Sequence, residues 1–156
     1  MNEGVKPDAQ QRWAMLMDET VAEVFDAMLG TACVPTQQAD APPPKISARV
    51  DFSGAVLGAF TVTLSDGDAV KLAEMLLAGA ADDAMAADAV GELCNVLAGT
   101  WKRRLKPPAS SAGLSVPALQ RGADDGPSDQ SDVRQGYDFA SARLVVRLSL
   151  TALEEE

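Results

Sequence analysis

The sequence predicts an α+β domain in which about three helices pack on one face of a largely antiparallel sheet. Apolar residues recur at three- and four-residue steps in three segments, as in amphipathic helices, and at two-residue steps in others, as in half-buried strands. The order helix, hairpin, helix, helix and then strands is typical of this fold class. The 156 residues are 47% hydrophobic, so we expect one domain, 1–156, with its core at about 13–150.

The balance of charge is acidic, with 13 Lys and Arg against 23 Asp and Glu, a formal net charge of -10 at pH 7. Binding to nucleic acid needs clustered positive charge, so nucleic acid is not an expected partner. The first residues lack the basic-then-apolar order of a signal peptide, and no run approaches the roughly 20 apolar residues of a membrane span. We therefore expect a cytoplasmic protein without a membrane partner, with free thiols at Cys33 and Cys94.

The first part of the chain is predicted to contain a helix, a connector and a hairpin. Residues 13–29 have the period of an amphipathic helix, which Gly30 is suited to end. Residues 36–44 are polar and then rich in proline, so they predict an extended connector. Between residues 45 and 64 the period changes to two, and a turn at Ser53-Gly54 indicates a β-hairpin.

Two further helices are predicted after the hairpin. Ser65 with Asp68 three residues later resembles a capping box, so we expect a second helix that closes near Gly79. Residues 80–87, rich in alanine and aspartate, are interpreted as a link. The third helix is then predicted over residues 88–104, before a pair of prolines ends it.

The last part of the chain is predicted to contain strands and a loop. Residues 114–119 are a short strand candidate, which Pro117 would restrict to an edge or a bulge. Residues 121–136 contain four aspartates and no apolar cluster, and they predict a mobile acidic loop. Residues 142–150 alternate between apolar and polar side chains, which indicates the final strand.

The third helix has a polar side and an apolar side. Its polar stripe consists of Asp88, Glu92, Asn95 and Gly99, at positions i, i+4, i+7 and i+11. Its opposite side, suited to a sheet, consists of Val90, Leu93, Cys94, Leu97 and Trp101. The chain has no histidine, which excludes Ser-His-Asp and Cys-His mechanisms. An asparagine amide can nevertheless hold a water in a fixed orientation, and positioning alone can lower a hydrolytic barrier substantially.

The polar stripe also has a simpler interpretation, because such residues are usually the solvated side of an amphipathic helix. Gly91 and Gly99 each cost about 0.5–1 kcal/mol relative to alanine in a helix interior. Close approach of a partner and close packing against a neighbouring helix explain them equally well. The cations between Lys102 and Lys106 likewise either steer an acidic partner or interact with the helix dipole.

Residues 91–102, G-E-L-C-N-V-L-A-G-T-W-K, resemble the signature helix of the CheX and CheC chemotaxis phosphatases. The motif of that family is Asp or Ser, three residues, Glu, two residues and Asn. Asp88, Glu92 and Asn95 match its three places, and Gly99 falls where the family commonly has glycine. The resemblance extends over about residues 13–150 and implies a CheC/CheX-like fold, with one E-x-x-N as in the single-site CheX type.

The resemblance implies hydrolysis of the aspartyl phosphate on a response-regulator receiver domain such as CheY. By analogy, Asn95 would orient the attacking water and Glu92 would pair with the lysine in the receiver's active site. Asp88 and Gly99 would contact the substrate. The chain would need no cofactor of its own, since the Mg²⁺ would belong to the receiver, and family members of this type can form homodimers through their sheets.

Two other functions stay open at the level of the sequence. The first is a non-catalytic adaptor that uses the same side of the helix to bind a receiver or a flagellar-switch-type partner. The second is a sheet-mediated dimerisation module with an unrelated role. An adaptor has no need of both Glu92 and Asn95, whereas a phosphatase needs the pair.

Overall fold

The computed structural model describes residues 7–122 and 132–155 of the chain. Its helices are α1 (Pro7–Leu29), α2 (Asp66–Leu77) and α3 (Asp83–Arg103), and a short 3-10 helix covers Ala109–Ser111. Its strands are β1 (Val34–Thr36), β2 (Lys45–Ser53), β3 (Val56–Ser65), β4 (Gly113–Leu114), β5 (Ala118–Arg121), β6 (Asp132–Phe139) and β7 (Ala142–Leu153).

All of these strands belong to one antiparallel sheet with the order β1-β6-β7-β3-β2. The outer edge of β2 pairs with both β4 and β5. Helix α3 packs on β2 and β3, and α1 packs beside it toward β6. The predicted α+β class, with helices on one face of an antiparallel sheet, is confirmed.

The hydrophobic core lies between the helices and the sheet. The fully buried side chains of the helical layer include Trp13, Met17, Val21 and Phe25 from α1 and Val90, Cys94, Leu97 and Trp101 from α3. Aromatic rings join the layers, since the Trp101 ring lies 5.8 Å from that of Phe52 and the Phe25 ring 4.8 Å from that of Phe139. The apolar side predicted for the third helix is therefore its buried side.

The predicted hairpin and second helix are both present. β2 and β3 pair in register from Lys45 opposite Ser65 to Phe52 opposite Gly58. Ser65 caps α2, because its hydroxyl accepts a hydrogen bond from the Asp68 backbone N–H at 3.2 Å. The helix ends slightly earlier than predicted, and Ala78, rather than Gly79, has the left-handed conformation at φ 55°.

Two helices begin earlier than the sequence indicated. The first starts at Pro7 and not at residue 13, and the third starts at Asp83 and not at Asp88. The prediction of a link over residues 80–87 is therefore wrong for residues 83–87. Asp82 caps α3 by accepting a hydrogen bond from the Met85 N–H at 2.8 Å, and the alanines that follow have the highest helix propensity.

The cap at Asp82 gives a test of this earlier start. Asp82→Ala should lower the free energy of unfolding by about 1 kcal/mol, because the Met85 N–H loses its acceptor. Asp83→Ala is the matched control, since Asp83 contributes only its charge in the first turn, worth a few tenths of a kcal/mol. Urea unfolding of both variants measures the difference, and equal losses would contradict the cap.

The second half of the chain departs from the prediction at two places. The predicted strand over residues 114–119 is two short strands, β4 and β5, with Pro117 between them, and both lie at the edge where a proline is tolerated. The loop predicted over 121–136 is wrong for Arg121, which ends β5, and for residues 132–136, which belong to β6. Residues 123–131 of that loop lie outside the described residues.

Strand β6 was not predicted because Gln135 interrupts its apolar alternation. Gln135 occupies a core-facing place between Val133 and Tyr137, where an apolar residue would have shown the alternation. Its side chain donates hydrogen bonds to the carbonyl oxygens of Thr36 and Gly136, at 2.7 and 2.9 Å, so the amide is satisfied beside β1. Thr36, placed in the predicted 36–44 connector, is the last residue of β1, and residues 37–44 contain neither helix nor strand.

Candidate functional site

Three of the predicted site residues lie together on the exposed side of α3. Asp88, Glu92 and Asn95 are all exposed and follow one another at about one helical turn. Within the described part of the chain, none of the three side chains forms a hydrogen bond or an ion pair. Two carboxylates and one carboxamide are therefore available together to a partner that meets this side of the helix.

The opposite side of α3 fixes the orientation of these residues. The Cys94 Sγ lies 3.4 Å from the carbonyl oxygens of Ala48 in β2 and Phe60 in β3, as a weak hydrogen-bond donor. Trp101 donates from Nε1 to the carbonyl oxygen of Trp13 at 3.4 Å. Because α3 is held to both the sheet and α1, its exposed side is presented on a rigid support.

Neither cysteine of the chain is suited to act as a nucleophile. Burial raises the pKa of the Cys94 thiol to about 12, although hydrogen bonds from nearby backbone groups oppose the shift. Burial, together with the charge of Asp138, raises the pKa of Cys33 to about 12 as well. Both thiols are thus protonated and enclosed at neutral pH, when a nucleophile would need to be an accessible thiolate.

Gly99, the fourth predicted site residue, is buried rather than exposed. A Cβ atom at this position would lie 3.4 Å from Arg103 Nη1 and 3.6 Å from Leu114 Cδ1. A Cβ atom at Gly91 would lie 3.6 Å from Leu119 Cδ2, so both glycines face the segment that contains β4 and β5. Close packing is thus a sufficient reason for these glycines, and direct contact of Gly99 with a substrate stays a prediction.

The cations that follow the signature have separate positions. Arg104 forms ion pairs with Glu19, at 3.3 Å, and with Glu23, both of α1. Lys102 donates to the Ser110 carbonyl oxygen at 3.0 Å. These two side chains connect the end of α3 to its surroundings, which favours a structural role for them.

Arg103 differs from its neighbours because it lies on the polar stripe. It follows Asn95 by eight residues and Gly99 by four, its guanidinium covers Gly99, and Nη2 donates to Thr100 Oγ1 at 3.3 Å. The helical period places Arg103 beside the predicted site, although in the sequence it stands within a run of cations. It adds a positive charge at one end of the stripe.

The described residues provide neither a metal-binding cluster nor a membrane span. Across residues 7–122 and 132–155, no three Cys, Asp or Glu side chains are grouped so that they could hold a metal ion. In the same part of the chain, no helix is both long and apolar enough to cross a membrane.

Solved structures of chemotaxis proteins have the same fold. CheX from Vibrio vulnificus superimposes with a TM-score of 0.72 at 16% identity, over 91% of this chain and 98% of that chain. CheX from Desulfovibrio desulfuricans gives 0.69 at 20% identity, over 89% and 99%. A chain from the CheX-CheY-BeF3-Mg²⁺ complex of Borrelia burgdorferi gives 0.68 at 17% identity, over 88% and 97%.

Comparison at the level of sequence identifies the family. No curated protein sequence matches the chain significantly. A family model described as "Chemotaxis phosphatase CheX" matches residues 46–135, which is more than half of the chain and includes all of α3 with its exposed stripe. Because this match is accompanied by the same fold over most of its length, the chain belongs to the CheX family.

Proposed function

We propose that this protein is a phosphatase that hydrolyses the aspartyl phosphate of a CheY-like receiver domain. The observation that carries the proposal is the exposed pair Glu92 and Asn95, one turn apart on a helix whose other side is fixed in the core. The CheX family model covers this pair, and a structure with the same fold is titled as a complex of CheX with CheY. The family and the site thus support the same reaction.

Asn95 orients the attacking water in this proposal. Its carboxamide oxygen accepts a hydrogen bond from the water, which points the oxygen lone pair at the phosphorus of the acyl phosphate. As the new P–O bond forms, the bond between phosphorus and the aspartate oxygen breaks, and the water proton passes to a phosphate oxygen. An amide cannot accept that proton, so Asn95 contributes by positioning, which is the main requirement for phosphoryl transfer.

Glu92 sets the register of docking. Its carboxylate is exposed and has no cationic partner within the described residues, so it can pair with the lysine of the receiver's active site. Asp88, one turn earlier, gives an auxiliary contact to the same partner. The Mg²⁺ ion belongs to the receiver, where it neutralises phosphate charge, so this chain contributes only side chains to the reaction.

The proposal is tested by measuring how fast each receiver domain encoded in the same genome as this protein loses its phosphate. Each receiver is phosphorylated, and the decay of its phosphate is measured with and without this protein. Faster decay of at least one receiver supports the phosphatase. Binding without faster decay would favour an adaptor for the receiver. No binding to any receiver would contradict the phosphatase and leave an adaptor for a flagellar-switch-type partner or the dimerisation module.

Gly99→Ala separates packing from substrate contact. We expect a protein at least as stable as wild type, because alanine is favoured by up to about 1 kcal/mol in a helix and Arg103, the nearest neighbour, is flexible. We expect the rate of dephosphorylation to change less than about threefold, since Gly99 is buried. Thermal unfolding and receiver decay measure the two effects, with Gly91→Ala as the control. Full stability with a large loss of rate would indicate direct contact with the substrate.

A further inference from the structure

Exposed apolar side chains lie around the polar stripe of α3. The described residues include seven large hydrophobic side chains that are exposed, and three of them are Met85 at 45%, Leu119 at 44% and Val116 at 83%. Met85 belongs to α3 itself, and the other two belong to the segment that packs against it. We call Met85, Val116 and Leu119 the apolar rim.

The position of Val116 follows from the two glycines of α3. Leu114 lies against Gly99 and Leu119 against Gly91, so the intervening residues run along the helix. Gly91 and Gly99 are eight residues apart, which is about 12 Å along the helix axis, and Asn95 lies halfway between them. The Pro117 side chain also lies against Gly91, so Val116, between Leu114 and Pro117, passes the turn of α3 that contains Glu92 and Asn95.

The backbone around Val116 is fixed to the sheet. Ser115 donates its N–H to the Asp51 carbonyl oxygen and accepts the Asp51 N–H on Oγ, both at 2.9 Å. The same hydroxyl donates to the Val116 carbonyl oxygen at 3.0 Å, and Pro117 restricts the backbone of Val116, the residue before it. The Val116 side chain is thus held outward on a rigid support and covers nothing in its own domain.

Met85 continues the rim at the start of α3. It precedes Asp88 by three residues and Glu92 by seven, so it lies on the same side of the helix as both carboxylates. Leu119 contacts the helix at Gly91, next to Glu92. The acidic and amide groups of the site therefore have apolar neighbours on more than one side.

We propose that the apolar rim is a docking surface for the receiver domain, and that it contacts apolar side chains bordering the phosphorylated aspartate of that receiver. The inference rests on the proposed function. A folded partner that brings an acyl phosphate within hydrogen-bond reach of Asn95 covers this turn of α3 and can bury the exposed Val116 side chain beside it. Burial of the rim removes apolar surface from water and excludes water around the Glu92 contact, which strengthens that ion pair.

The rim therefore determines affinity, whereas Glu92 and Asn95 act on the receiver's active site. Val116→Ser tests this division, and Val34→Ser is the matched control, because Val34 is 53% exposed in β1 at the other edge of the sheet. The readouts are the dissociation constant for a receiver loaded with beryllofluoride and Mg²⁺, and the steady-state constants for dephosphorylation.

We expect Val116→Ser to raise Kd and KM about five- to tenfold and to leave kcat within about twofold. Val34→Ser should match wild type in all three constants. An unchanged Kd for both Val116→Ser and Met85→Ser would contradict the role of the apolar rim as a docking surface. The proposed function would still stand if the wild type hydrolyses the phosphate. A wild type that neither binds nor dephosphorylates any receiver would overturn the proposed function and the rim together.

Discussion

Asn95→Ala should abolish the acceleration of receiver dephosphorylation while the domain stays folded. Without the carboxamide, the attacking water is no longer held in line with the acyl phosphate, and we expect the rate to fall about 100-fold or more. Asn95 is exposed and makes no side-chain hydrogen bond in the described chain, so its removal should change the free energy of unfolding by less than about 0.5 kcal/mol. Loss of rate without loss of stability is the signature of a catalytic residue.

Two companion variants separate the role of Asn95 from docking and from nonspecific effects of losing a carboxamide. Glu92→Gln keeps the size of the side chain and removes its charge, so we expect a raised KM together with a lower rate if Glu92 pairs with a lysine. Gln11→Ala removes a carboxamide from an exposed position on α1, away from the site, and should behave as wild type. The measurements are the phosphate lifetime of the receiver at several protein concentrations and a thermal unfolding curve for each variant. Wild-type activity in Asn95→Ala would contradict the role of the amide.

The exposed stripe was predictable from the sequence because a helix has one fixed period. Asp88, Glu92 and Asn95 share a side of any helix that contains them, whatever the rest of the fold is. The same reasoning identified the buried side, including Cys94 and Trp101, and the two-residue period identified the hairpin. These features depend on neighbours within a few residues of each other, which is the range over which a sequence pattern is informative.

The burial of Gly99 was only partly predictable, because Arg103 covers it from the same helix but Leu114 comes from elsewhere in the chain. Leu114 reaches Gly99 only after the chain has left α3 and added β4 to the edge of β2. The sequence therefore left partner contact and close packing as equal explanations. The exposure of Val116 depends on the same long-range arrangement, since the bonds that fix its neighbour Ser115 involve Asp51.

Some expectations concern properties outside a single chain and stay predictions. A homodimer formed through the sheet, a cytoplasmic location and a Mg²⁺ ion on the receiver all depend on partners or compartments. The site residues themselves are a different case, because their exposure is described and their roles are open to direct kinetic test. The phosphatase and adaptor functions share the same surface, so only turnover separates them.

Trp101→Ala should produce the opposite signature, a large loss of stability with the site chemistry preserved. Trp101 is fully buried, its ring packs 5.8 Å from that of Phe52 in β2, and its Nε1 donates to the Trp13 carbonyl oxygen at 3.4 Å. Truncation leaves a cavity between α3, α1 and the sheet, and such changes cost about 3–5 kcal/mol. For a domain of this size, the melting temperature should fall by roughly 10 °C.

Comparison of Trp101→Ala with Asn95→Ala tests whether activity depends on the packing behind α3. At a temperature well below its transition, Trp101→Ala should still accelerate receiver dephosphorylation to within a few-fold of wild type, because Glu92 and Asn95 remain exposed on the other side of α3. Met15→Ala, at a 62% exposed apolar position on α1, should change the unfolding free energy by less than about 0.5 kcal/mol. A cost below about 1 kcal/mol for Trp101→Ala would show that α3 is held mainly by contacts other than its tryptophan. Full loss of activity in a protein that is still folded would mean that the geometry of the exposed stripe depends on the packing behind it.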